Sequence, residues 1–102
     1  MSKPLFVQEG EIYYLQGDLT HAVLAPAWAS VLQTVFEATT PKIILDVAKV
    51  AQADSAFLAL LLAIYRITHK QERVLKIQAL SKNMKALMQV QGIWPLFEEI
   101  VV

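Results

Sequence analysis

The chain has no cysteine among its 102 residues, which excludes a disulfide framework, a thiolate nucleophile and a thiolate-held zinc, and permits a cytosolic home. It has only three glycines, Gly10, Gly17 and Gly92, so neither a phosphate-cradling P-loop nor a dinucleotide fingerprint can be written. No sign of charge prevails: nine Lys+Arg meet nine Asp+Glu, without the basic excess that nucleic-acid binders carry. The longest apolar run, Ala56 to Tyr65, is closed by Asp54-Ser55 and Arg66, well short of the roughly 20 residues a bilayer crossing needs. Met1 to Val7 lacks the apolar core of a targeting peptide, so the expected location is the cytoplasm.

What the chain does have is apolar mass. At 56% hydrophobic and 18% charged residues, with a mean hydropathy of +0.45, it reads as one packed domain spanning residues 1–102, with apolar surface to spare for contact.

Leu5-Phe6-Val7 and Ile12-Tyr13-Tyr14-Leu15 read as a hairpin turning at Gly10, with Gly17 to Thr20 breaking the second strand. From His21 to Ala38, Leu24, Trp28, Val31, Leu32, Val35 and Phe36 recur at helical spacing. Pro26 sets the regular helix either to begin near it or to follow a short turn at Thr20 to Ala25. Lys42 to Val47 is a β-branched run without alternation, the mark of a strand buried on both faces, followed by an expected loop from Ala48 to Ala53. Asp54 or Ser55 caps a second helix through Leu58, Leu61, Leu62 and Tyr65 to about His69. Val74 to Leu80 is a further strand. Ser81 caps a third helix with Met84, Leu87, Met88 and Gln91 on its stripe, stopped by Gly92; Ile93 to Val102 forms a tail with a short turn or helix and a final edge strand. The resulting order, ββαβαβα plus a tail, predicts an α/β (α+β-like) fold: one mixed sheet with helices packed mainly on one face.

Catalytic signatures are sparse. His21 and His69 lie in no metal-ligand pattern and read as surface or helix-end residues. Glu98-Glu99 and Asp46 make no defensible acid–base pair; no cofactor and no metal site is expected. The segment from Asp54 to Arg66 stands out because its middle is apolar nearly all the way round. A helix on a small sheet buries one face, so the other meets a partner unless the flanking helices cover both sides. Ser55 lies where free helix amides welcome an oxygen, as a cap or as a phosphate acceptor, with Asp54 beside it repelling the phosphate.

Ile43-Ile44-Leu45-Asp46-Val47, Ala53-Asp54-Ser55 and Leu58-Ala59-Leu60-Leu61-Leu62 resemble the strand, loop and helix of the STAS domain, found in anti-sigma factor antagonists and in the tails of sulfate transporters. Leu15 to Leu19 running into Val23 to Trp28 makes the chain most similar to the MlaB-like branch of that family, the small subunits of phospholipid-transport ABC complexes. The resemblance implies a SpoIIAA-like fold and a non-enzymatic subunit at the inner membrane that binds an MlaF-like ATPase. The implied partner-binding residues are Asp54, Ser55, Ala56, Phe57, Leu58 and Leu61, joined by Lys82 and Lys85, with Phe57 as the first hot spot and the Val50 to Ser55 loop beside it. A homodimer is compatible with this reading; nucleic acid and membrane insertion are not expected. The alternative is an anti-sigma factor antagonist switched by serine phosphorylation, with Ser55 as candidate phosphoacceptor. In those antagonists the accepting serine stands one place later and precedes a glycine, and Ala56 and Phe57 occupy these positions here. A third reading, a small enzyme or lipid carrier, would use the apolar helix to line a pocket.

Overall fold

A computed structural model describes residues 5–102 of the chain. The reading of Met1 to Val7 as carrying no targeting core falls partly on residues 1–4, outside the described residues. Eight elements follow in order: β1 (Phe6–Glu9), β2 (Ile12–Leu19), α1 (His21–Glu37), β3 (Lys42–Ala53), α2 (Ser55–Lys70), β4 (Val74–Gln78), α3 (Lys82–Val90) and α4 (Trp94–Phe97). The strands form one sheet in the order β1-β2-β3-β4. β1 and β2 are antiparallel, and the other two pairings are parallel, so the sheet is mixed as the element order predicts.

Tyr13, Leu15, Leu19, Ile43, Leu45, Val47, Leu75 and Ile77 point from the strands into a single core. Every helix feeds the same core: Leu24, Val31 and Val35 from α1; Phe57, Leu58, Leu60, Leu61 and Ile64 from α2; Met84 and Met88 from α3; and Phe97 from α4. The helices therefore occupy one side of the sheet. Among the described residues Thr68 is the one polar residue that is buried, and its hydroxyl donates to the carbonyls of Ile64 and Tyr65 at 3.1 and 3.0 Å. Tyr13 is fully buried with its hydroxyl unpaired among the described residues; burial pushes the phenol pKa up, against a smaller pull from the Arg73 charge.

Several sequence expectations are corrected. β2 does not break at Gly17 but continues to Leu19, and the expected loop from Ala48 to Ala53 is the second half of β3. These halves pair with each other, Gln16 with Lys49, Gly17 with Val50, Asp18 with Gln52 and Leu19 with Ala53, across two irregularities in register. Bulges of this kind destroy the period-2 signal while keeping the backbone groups paired, and at one of them Gly17 takes φ +90, a value side-chain-bearing residues adopt only with strain. Asp46 supports the first irregularity by accepting the Ala48 amide at 3.0 Å, while its second oxygen accepts from the Gln78 side chain at 2.7 Å.

α1 runs unbroken through Pro26. Pro26 forfeits the hydrogen bond to the Ala22 carbonyl, and both residues lie on the exposed side, where that carbonyl is open to solvent. Phe36, expected on the buried stripe, is 58% exposed. Its carbonyl accepts from the Gln71 side chain at 3.0 Å, and Arg73 donates to the carbonyls of Val35 at 3.0 Å and Thr40 at 2.7 Å. The turn after α2 thus supplies the positive charge that α1 lacks in its own last turn.

α2 and α3 end alike. After α3, Gly92 (φ +75) donates to Gln89 and Ile93 to Met88; after α2, Glu72 (φ +56) donates to His69 and Arg73 to Thr68. Both are Schellman closures, one with the expected glycine and one with a glutamate held in the left-handed region. The tail matches its reading in part: α4 is a single short turn, but in place of a final edge strand only an isolated bridge joins Val101 to β4 at Ile77.

Candidate functional site

Asp54 organises the end of the molecule singled out by the sequence. Its Oδ1 accepts from the Ala56 amide at 2.8 Å, capping α2, and its Oδ2 accepts from the His21 amide at 3.0 Å, capping α1. Thr20 stands at the N-cap of α1 but makes no side-chain cap hydrogen bond, so one carboxylate serves two helix amino ends. The His21 amide bond, followed by the Ala56 and Phe57 amides and the His21 charge, holds the Asp54 pKa below the usual carboxylate value against some desolvation. Two converging helix dipoles act in the same direction. Ser55 is therefore not the cap; it is the exposed first residue of α2, with its hydroxyl outside the clamp and a fixed negative charge beside it.

The expected partner-binding residues divide. Phe57, Leu58 and Leu61 are 0, 3 and 0% exposed, so these three are core side chains rather than exposed contacts, together with Leu60 and Ile64 of the same helix. Phe57 in particular is not available as a hot spot. The Val50 to Ser55 loop is likewise replaced by the end of β3 and the start of α2. Ser55 and Ala59 are exposed and Ala56 and Leu62 half-buried, and Ser55, Ala59 and Leu62 follow helical spacing as an outward ridge.

Two grooves border that ridge. Toward α1, His21, Leu24, Ala25, Trp28, Ala56 and Ala59 line a mostly apolar depression of about 420 Å³. On the other flank, Ser55, Leu58, Ala59, Leu62, Gln91 and Ile93 line a smaller one of about 140 Å³. The flanking helices thus cover α2 only in part. Ala25, Ala56 and Ala59 keep the larger groove open.

The amino end of α3 lies beside the end of β3, since Ser81, Asn83, Met84 and Leu87 share a depression of about 340 Å³ with Val50 to Ala53. Ser81 caps this helix by accepting the Met84 amide at 3.1 Å. Lys82 is exposed there, and the Lys85 ammonium sits 4.8 Å from the centre of the Trp94 ring, within cation–π range. Sequence reasoning did not place Ala25 and Trp28 at the site, or His21 beside Asp54. The Pro26 to Trp28 context was the available signal, but nothing in it says which element Trp28 faces. No group of three or more His, Asp or Glu that could hold a metal occurs among the described residues, and no helix there is long and apolar enough to cross a membrane.

The chain is thus a mixed sheet with helices on one face, presenting a capped helix end with a small-residue ridge. Comparison with known proteins gives the family. Residues 12–97 match the family described as "Mlab, STAS domain", and the chain belongs to the STAS domain family. STAS domains are in general regulatory domains that act through protein–protein contacts. No curated protein matches the chain. Among solved structures, the unphosphorylated anti-sigma factor antagonist SpoIIAA is similar with a TM-score of 0.72 at 17% identity, covering 95% of this chain and 84% of that one. A sulfate transporter family protein from Wolinella succinogenes is similar with a TM-score of 0.71 at 25% identity, over 89% of this chain and 74% of that one. An anti-sigma factor antagonist from Mycobacterium paratuberculosis gives 0.67 at 21% identity, over 91% and 80%. The STAS/SpoIIAA fold predicted from sequence is thereby established.

Proposed function

We propose that the chain is a non-enzymatic subunit that binds the cytoplasmic ATPase of an ABC-type phospholipid transporter, is held at the inner membrane through that complex, and supports the assembly or activity of the ATPase. The observation that carries this reading is the ridge of Ser55, Ala59 and Leu62 flanked by two open grooves, a shape that receives a helix or loop from a partner. The family description supports the lipid-transport branch. Asp54, Ser55 and Ala56 remain in the proposed contact, now joined by Ala25, Trp28 and Ala59, with Lys82 and Lys85 at its rim. Trp28 becomes the anchor candidate, since large, half-buried aromatic residues concentrate binding energy. Phe57, Leu58 and Leu61 act by holding the ridge in place.

The test is a tagged pull-down from native cytoplasm and solubilised inner membrane, with partners identified by mass spectrometry. An ABC ATPase recovered with its permease, and lost with Ala59→Glu in a chain that melts like wild type, is the expected result. Undiminished recovery by Ala59→Glu would refute the surface assignment.

A second reading has its own support. Ser55 is exposed at the helix end, and the Bacillus determinant SpoIIAA in its phosphorylated form is among the similar structures, at 18% identity. On this reading the chain is an anti-sigma factor antagonist, and the pull-down returns a kinase-like anti-sigma factor that places stoichiometric phosphate on Ser55.

A further inference from the structure

All four helices send their buried residues to one side of the sheet, so no helix covers the other side among the described residues. On that open side stand Val7, Ile12, Tyr14 and Ile44, half-buried apolar residues that do not pack against the core, together with Val74, which is 50% exposed.

Strand register sorts this face into rows. Glu9 pairs with Ile12, Ile12 with Ile44 and Ile44 with Lys76, so one row across the sheet reads Glu9, Ile12, Ile44, Lys76. The neighbouring row reads Val7, Tyr14, Asp46, Gln78. The first row carries an acid at one end and a base at the other, its ammonium donating at 3.4 Å to the Glu99 carbonyl of the tail that bridges β4, with two isoleucines between them. Consider two such sheets stacked face to face about a two-fold axis that runs parallel to the strands between them. The rotation reverses each row, laying Glu9 over Lys76 of the second copy, Ile12 over Ile44 and Tyr14 over Asp46. Asp46 accepts one hydrogen bond at each oxygen, which leaves acceptor capacity for the Tyr14 phenol. The face is thus complementary to itself in charge and in apolar character, as an isologous interface must be.

We propose that this open face is a homodimer interface, its occupant a second copy of the chain stacked with strands aligned in the usual sheet-on-sheet manner. Four strands about 4.8 Å apart and two to three rows about 6.8 Å apart give a patch of about 300–400 Å² per partner, half or less of the roughly 800 Å² of a standard interface. A patch of this size lies at the small end of interface sizes, so the dimer is weak and transient. It engages the side of the sheet away from the ridge on α2, so it stands or falls independently of the proposed transporter role.

The experiment is sedimentation velocity on the full chain from about 10 μM to 1 mM, at low and high salt. The expected result is a reversible monomer–dimer equilibrium weakened by salt. Glu9→Lys and Lys76→Glu each weaken it about tenfold or more, and the double variant recovers toward wild type. Glu9 and Lys76 lie three strand spacings apart in one chain, about 14 Å, so recovery cannot come from a pair formed within the monomer. Should a variant fail to fold, dilution of the wild-type chain followed by NMR must move the resonances of Ile12, Tyr14 and Ile44 ahead of those on α2. A chain that stays monomeric to 1 mM, a double variant as weak as the singles, or shifts confined to the helical side each overturns the proposal. An isolated monomer whose Tyr14 face becomes protected only in complex with another protein assigns the face to that protein instead.

Discussion

Replacing Phe57 by alanine separates a core residue from a contact residue at the helix end where both were expected. The side chain is 0% exposed and lies within the core formed by the strands and all four helices. Truncating a buried phenylalanine costs about 3–5 kcal/mol, the transfer term plus the cavity left behind. A domain of this size has about 5–15 kcal/mol in all, so Phe57→Ala removes a large share of its stability. At roughly 4–8 °C per kcal/mol for domains of about this length, the melting temperature falls by about 12–40 °C. Ala59→Glu, one turn from the same helix end but exposed, shifts stability by no more than about 0.5 kcal/mol. The assay is urea and thermal unfolding of both variants by circular dichroism, beside partner binding measured below the melting point. A loss under about 1 kcal/mol for Phe57→Ala, with partner binding abolished, would refute the reasoning and restore Phe57 to the surface.

Three further outcomes are expected. The Asp54 pKa is lower in the folded chain than its ordinary value of 3.8, so its contribution is fully present above that value and is lost as pH falls through the lower folded pKa; Asp54→Asn, with one acceptor oxygen for two helix ends, flattens this acid dependence, and urea midpoints equal to wild type between about pH 2 and 5 would contradict the double cap. Arg73→Met leaves the carbonyls of Val35 and Thr40 without their charged donor and costs about 1–3 kcal/mol, with amide exchange rising first at the end of α1; unchanged unfolding would show that water replaces the guanidinium at no cost. Glu72→Gly relieves the left-handed backbone after α2 and stabilises the chain by up to about 1 kcal/mol, read as a higher urea midpoint with an unchanged slope; a lower midpoint would show that the Glu72 side chain stabilises the turn.

The sequence by itself determined the class of fold, because its signals were local and strong. Lys42 to Val47 could only be an interior strand, Leu58 to Tyr65 an amphipathic or buried helix, and Gly92 a stop. The Asp54-Ser55 helix start was equally legible, since capping depends on residue types a few positions apart. Tertiary structure alone decided which side of α2 faces water, because an all-apolar helix has no periodicity from which to tell Phe57 from Ala59. It also decided that β2 and β3 extend through their bulges to Leu19 and Ala53, where paired backbone groups outweigh the missing alternation. The double cap at Asp54 and the closure of α1 by Arg73 join residues 33 and 38 positions apart. Contacts of that span leave no mark on local composition, because what selects them is the fit of two packed elements rather than the preference of either segment alone.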